Sequence, residues 1–242
     1  MKRVFAACII LGFLIGLNTI PALAQDDQTS KIAEGKRIWE KWIAARGGRD
    51  RLSKIKEIKS SSERKAQGID LKVIKYFKGA DKYRVDEQIM GMTLTRAVDG
   101  DKGWMTDQGT GLNVDMPERV RSRFLSEKEK HEEFLNPEQF GHTVTYEGRR
   151  TVEGKEYILI KQAAVNGVTT VHYIDPDTFL RYKFTLSLFP GLEVITSDYR
   201  DVDGTKVPFS LRMFQNGTEV STITITGYQY NCGLDDSLFI KP

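Results

Sequence analysis

Two periodicities divide this chain. Ile32, Trp39, Trp42 and Ile43 recur at helical spacing on one face, with Glu34, Lys36, Arg37, Glu40 and Lys41 elsewhere. The stretch therefore reads as an amphipathic helix with Ser30 as its N-cap. Gly47-Gly48 stops it, and Leu52 and Ile55 add one or two further helical turns. From about Ile58 the period becomes two. Ile69, Leu71 and Val73 alternate with Asp70 and Lys72, and Tyr83 and Val85 alternate with Lys82, Arg84 and Asp86, which predicts strands. Ile74 and Tyr76 continue the apolar face from the other parity, so a bulge is expected at Val73-Ile74. Met90, Met92 and Leu94 form the next stripe, ended by the turn signal Asp99-Gly100.

A second helix is expected from Asp115-Met116-Pro117-Glu118, with Asp115 as cap and Pro117 in the first turn, running to Phe134. Val120, Phe124 and Leu125 are its narrow apolar stripe, beside a charged run over 127–133 that reads as a solvated face. After Gly141 strand follows strand, separated by Glu153-Gly154, Asn166-Gly167, Asp175-Pro176-Asp177, Pro190-Gly191, Asp203-Gly204 and Asn216-Gly217. Phe184, Leu186 and Leu188 share one face, as do Phe209, Leu211 and Met213, and the residues between them are polar. The pattern predicts a large, curved antiparallel sheet with one face apolar, the other wet, and two helices on the apolar face. No helix-plus-strand unit repeats, which excludes a doubly wound parallel sheet.

The first residues follow a different rule. Lys2 and Arg3 precede the apolar stretch Val4 to Leu17, Pro21 breaks it, and Ala22-Leu23-Ala24 is a small-x-small cleavage site. Residues 1–24 read as a cleaved secretory signal and 25–242 as a single domain. The competing reading is an uncleaved anchor, for which the 14 apolar residues fall short of the ~20 that a span needs. Cleavage also changes the charge. The formal +3 of the 242 residues loses Lys2 and Arg3 and no acid, leaving 34 basic against 33 acidic residues and no global basicity to favour nucleic acid. It removes Cys8 as well, so Cys232 stands alone and reads as a buried thiol, and no internal disulfide can form.

Chemistry is sparse. His131, His142 and His172 are the three histidines, and none forms a site by spacing. His131-Glu132-Glu133 lacks the second histidine of a zinc-protease helix, and His142 and His172 read as ordinary surface residues. The sequence has no Gly-rich phosphate loop and no Gly-x-Ser-x-Gly elbow, and Asp201-x-Asp203-Gly204 lacks the rest of a calcium loop. Neither catalysis nor a metal or cofactor is expected. What remains is the apolar face itself, too broad for two short helices to close unless side chains or a guest fill the space.

Three segments carry a resemblance. Phe77-Lys78-Gly79-Ala80-Asp81-Lys82-Tyr83-Arg84-Val85, Val98-Asp99-Gly100-Asp101-Lys102-Gly103-Trp104 and Asp236-Ser237-Leu238-Phe239-Ile240-Lys241-Pro242 resemble, in that order, segments of the LolA-like lipoprotein and lipid carriers. The Tyr173 to Thr178 turn and the Asp198 to Phe209 hairpin resemble the remote branches of that family. The resemblance implies an incomplete antiparallel β-barrel whose helices form a lid over a hydrophobic cavity for acyl chains. It departs at Lys78-Gly79, where the carriers of lipoproteins have an Arg-Pro whose arginine helps control the lid.

Together these readings predict a periplasmic carrier of lipoprotein acyl chains or lipid, exchanging cargo with inner- and outer-membrane donor and acceptor proteins. The alternative on the same fold is an envelope lipid- or stress-sensing interaction module. The expected cavity lining is Tyr83, Val85, Met90, Met92, Leu94, Trp104, Phe124, Phe184, Leu186 and Leu211.

Overall fold

The computed structural model describes residues 22–66, 68–126 and 131–242. Residues 1–21 of the expected signal segment lie outside the described residues. Helix α1 (Ala22–Ala45) starts before the expected cap at Ser30. It ends as its two glycines dictate. Gly48 N–H donates to Ile43 O (3.0 Å) and Gly47 N–H to Ala44 O (3.1 Å), so carbonyls left over at the helix end find partners. Both glycines have positive φ, 131° and 83°, which side-chain-bearing residues rarely adopt. The short helix α2 (Arg49–Leu52) then buries Leu52 completely.

Six strands follow: β1 (Glu57–Ala66), β2 (Ile69–Lys78), β3 (Lys82–Ile89), β4 (Met92–Asp99), β5 (Lys102–Thr106) and β6 (Asn113–Asp115). Helices α3 (Glu118–Ser126) and α4 (His131–Leu135) come next. Seven strands complete the chain: β7 (Thr143–Val152), β8 (Lys155–Ala163), β9 (Thr169–Ile174), β10 (Arg181–Leu186), β11 (Leu192–Val202), β12 (Thr205–Gln215) and β13 (Thr218–Tyr230). The second helix expected from sequence is thus two helical segments, with residues 127–130 outside the described residues.

The thirteen strands of the described residues pair in one open antiparallel sheet, ordered β6-β5-β4-β3-β2-β1-β13-β12-β11-β10-β9-β8-β7. Every neighbouring pair is sequential except β1 with β13. Strands β6 and β7 are therefore opposite edges, and residues 116–142 carry the chain from one edge to the other. This crossing brings α3 and α4 over the concave face. There α1 and α4 bury Ile38, Trp39, Trp42, Ile43 and Leu135 against Val144, Ile158, Ile160 and Ile174. At the other end α3 buries Phe124 against Ile58, Phe77, Tyr83, Val85 and Val98.

Two expectations about the strands need correction. Register runs without a shift through Val73 and Ile74 on both sides, so no bulge lies there and Ile74 is half-buried on the outer face. The shifts fall instead at Ser61/Ser62, Tyr146/Arg149, Arg181/Lys183 and Met213/Phe214. Nor is the outer face uniformly wet. Tyr157, Leu159 and Tyr173, opposite in parity to Ile158 and Ile160, form a buried cluster with Tyr182 packed against it.

One contact fixes how deeply α1 seats. A Cβ on Gly35 would lie 2.8 Å from Thr145 Cα, Thr145 C and Val144 O, so helix and strand β7 meet at backbone distance. Gly35→Ala should therefore destabilise, although helix propensity alone favours alanine by about 1 kcal/mol. Overpacking costs about 1–3 kcal/mol, and each kcal/mol is worth about 2–4 °C in a chain of this size. Thermal melting followed by circular dichroism should show Tm several degrees lower; an unchanged or raised Tm contradicts the close approach.

Candidate functional site

A cavity of about 890 Å³ opens on the concave face, roofed by α1 and α4 and floored by β8, β9 and β10. Its size is that of ordinary small-molecule sites. The apolar wall is Trp39 and Trp42 from α1, Phe134 from α4, Leu186 from β10, and Leu188 and Phe189 from the following turn. The roof is tied down by polar contacts. Trp39 Nε1 donates to Phe134 O (2.8 Å), an Arg49 Nη donates to Leu135 O (2.5 Å), and His131 Nε2 lies 2.7 Å from Leu52 O.

A polar chain runs through the same space. His142 Nε2 lies 3.6 Å from Glu133 Oε2. Gln162 Nε2 donates to His142 Nδ1 (2.8 Å), and Gln162 Oε1 lies 3.3 Å from His172 Nε2. With the amide so placed, the His172 proton sits on Nε2 and Nδ1 is an acceptor. His172 is 4 % exposed, and its ring contacts those of Trp39 and Trp42 with centroids 5.5 and 5.1 Å away. Burial first, and the Arg181 guanidinium second, hold this imidazole neutral, well below the usual histidine range.

Trp42 Nε1, Arg46 Nε and His172 Nδ1, on residues of the cavity walls, are buried without a hydrogen-bond partner among the described residues. Each such group costs about 1–3 kcal/mol, so natural structures rarely gather them without cause. Two guanidinium groups lie against the aromatic wall. Arg46 stands over Phe134 (5.2 Å), and Arg181 over Phe184 (4.2 Å) and Trp42 (5.5 Å). Among the described residues no group of three or more His, Cys, Asp or Glu side chains could hold a metal ion.

The residues expected to line one cavity are dispersed. Leu186 lines it, and Phe184 adjoins it through His172 (centroids 6.4 Å) and Arg181. Leu211, half-buried, lies on the same face between the two cores, opposite Thr196 and Ile223. Tyr83, Val85 and Phe124 are brought together, but in solid packing. Tyr83 stacks between Phe77 and Phe124, with centroids 4.6 Å away on each side. Leu94 shares that face, half-buried opposite Glu87.

Met90 and Met92 stand at an exposed hairpin tip, where Met90 is itself a turn residue (φ 50°) and 86 % exposed. They line a separate depression of about 490 Å³ with Arg64 and Leu71. Trp104 lies on the opposite face of the sheet. It pairs with Ala97 rather than Val98, and its Nε1 donates to Phe239 O (2.9 Å) beneath the C-terminal segment.

The histidine and cysteine expectations also change. His172 is buried, His142 is partly buried, and Cys232 is exposed. The cavity residues absent from the sequence-based lining include Trp39, Trp42, Arg46, Phe134, His172 and Arg181. His172 alternates with Val171 and Tyr173, and because those two pack on the outer face, alternation pointed the histidine to the wrong side.

A neutral buried imidazole has a pH signature. The unfolded chain binds a proton at the ordinary histidine pKa while the native state resists it, so stability is full above about pH 6.5 and falls below it. The slope contributed is at most about 1.4 kcal/mol per pH unit. Between pH 7 and pH 5 the wild type should lose more Tm than His172→Gln, measured by scanning calorimetry; parallel losses contradict the assignment.

No protein-family model matches the sequence, and no curated protein matches it either. Solved structures do. A DUF1329 family protein from Desulfovibrio piger superposes with TM-score 0.59 at 14 % identity, covering 85 % of this chain and 97 % of that one. An outer membrane lipoprotein-sorting protein domain from Vibrio parahaemolyticus gives 0.57 at 11 % identity, over 87 % and 97 %. A LolA superfamily protein from Nitrosomonas europaea gives 0.55 at 12 %, over 86 % and 97 %. At such identities the likeness speaks for the fold: an open, curved antiparallel sheet with helices on its concave face, which is the LolA-like fold, and this chain has it.

Proposed function

We propose that the protein is a soluble periplasmic carrier that holds acyl chains of a lipoprotein or lipid in the concave cavity for transport toward the outer membrane. Residues 1–24 would act as its cleaved export signal. The observation that supports this reading best is the 890 Å³ space walled by Trp39, Trp42, Phe134 and Leu186. Among the described residues no helix is long and apolar enough to cross a membrane. The lipoprotein-sorting description of one structural neighbour points the same way.

Apolar burial suffices for capture. About ten methylenes at ~0.8 kcal/mol each give roughly 8 kcal/mol before the costs of ordering. Release would go to donor or acceptor proteins, and catalysis plays no part.

A second reading, a lipid- or stress-sensing interaction module, is favoured by one feature. Val165 (84 % exposed), Leu188, Phe189 and Phe140 are exposed apolar side chains at the cavity mouth, a surface that a partner protein would cover. A carrier hands its cargo to vesicles, whereas a sensor keeps it and binds a protein in a cargo-dependent way.

Native mass spectrometry of protein purified from the periplasm tests the carrier reading. The expected spectrum carries an extra acyl-lipid mass, and a ligand-free spectrum contradicts it. Two variants separate cavity from core. Leu186→Asp should lose the lipid with little change in Tm, because Leu186 is only half-buried. Phe124→Ala should cost about 3–5 kcal/mol of stability, because its ring is fully packed against Tyr83. Equal loss of lipid and of Tm in both variants would show that the cavity is ordinary core.

A further inference from the structure

The cavity is polar at one end and apolar at the other. Arg181 opens β10 and Leu186 closes it, which separates them by roughly 15 Å along the strand. At the Arg181 end lie the Arg46 guanidinium over Phe134 and the indole of Trp42, which is 3 % exposed. Beyond Leu186 the lining is mainly apolar, with Leu188, Phe189, Val165 and Val168, and its polar members there, Asn166 and Thr170, carry no charge. The unpartnered atoms belong to the polar end. Trp42 Nε1 and Arg46 Nε are donors, and His172 Nδ1, with its proton committed to Gln162 through Nε2, is an acceptor. Among the described residues the lining carries three arginines, Arg46, Arg123 and Arg181, against one carboxylate, Glu133, which faces His142.

We infer that the cavity is built for an amphiphile whose headgroup presents anionic oxygens beside an O–H, the chemistry of an acyl-chain phosphate. Binding turns these three atoms, each closed to a water molecule in this structure, toward the cavity: the anionic oxygens accept from Trp42 Nε1 and Arg46 Nε, the O–H donates to His172 Nδ1, and the chain runs along Leu186 to Leu188 and Phe189. This inference rests on the carrier reading and narrows it. A purely apolar guest would leave three buried polar atoms unpaired, whereas this headgroup satisfies all three.

The test compares monododecyl phosphate, 1-dodecanol and inorganic phosphate on the delipidated full-length mature protein, titrated by tryptophan fluorescence at pH 5.5, where a phosphate monoester keeps one O–H. Dodecyl phosphate should bind about tenfold or more tightly than dodecanol, as one or two charge-assisted hydrogen bonds require. Trp42→Phe keeps the ring and deletes the N–H, and Arg46→Gln removes the charge; each should shrink the affinity gap between the two dodecyl compounds, with Tm measured alongside to show that the variant is folded. Equal affinities for the two dodecyl compounds overturn the headgroup inference while leaving the acyl carrier intact. Binding of neither overturns both. Inorganic phosphate competing at concentrations equal to those of dodecyl phosphate would make this a free-anion site and overturn the coupling of head to tail.

Discussion

The backbone contact at Gly35 sets the geometry on which the rest depends. With no Cβ between them, α1 lies on β7 as closely as two backbones allow. That depth places Trp39 and Trp42 against Ile160 and His172 on the sheet. From there the indole of Trp39 reaches Phe134 O and holds α4 in place as the second half of the roof. The other end of α1 is anchored too, since Lys206 N–H of β12 donates to Arg46 O (3.0 Å) and Arg51 reaches Asp203 O (2.7 Å). A helix held at three places over a curved sheet leaves a defined space beside it, and that space is the cavity.

The concave face is consequently two different things. Over β1 to β5 it is closed, with Phe77, Tyr83 and Phe124 stacked in succession and Arg96 laid over Phe124 at 4.8 Å. Over β8 to β10 it is open, and its aromatic side chains interleave with arginines and histidines rather than with one another alone. Stacked rings exclude water and guests alike. Guanidinium groups over rings keep a wall apolar in area yet charged at its edges, the surface that an amphiphile meets best.

Much of the fold is legible in the sequence because hairpins are local. Glu153-Gly154, Asp203-Gly204 and Asn216-Gly217 each place both residues at positive φ, which the Gly announces. Met90-Gly91 does the same at 50° and 82°, but the methionine disguised the turn as part of a stripe. The pairing of β1 with β13 has no local signal, since it joins segments some 170 residues apart (Ser60 with Tyr228) through backbone bonds that any side chain permits. The site was legible only in part for a related reason. Alternation tells one face from the other only when one of them is wet, and here Tyr157, Tyr173 and Trp104 bury apolar surface on the outer side. Alternation thus puts Trp104 inward and His172 outward, and the structure places each on the other side.

The central claim, that an acyl chain lies between α1 and the floor of β8 to β10, is tested most directly by contact quenching. The three tryptophans are Trp39, Trp42 and Trp104, the first two in the cavity wall and the third on the opposite face of the sheet. In a Trp104→Phe background, a dodecyl chain carrying a terminal bromine should quench the remaining emission saturably, while the same chain without bromine should not. Saturable binding of the brominated chain with undiminished fluorescence would place the ligand elsewhere and contradict the account.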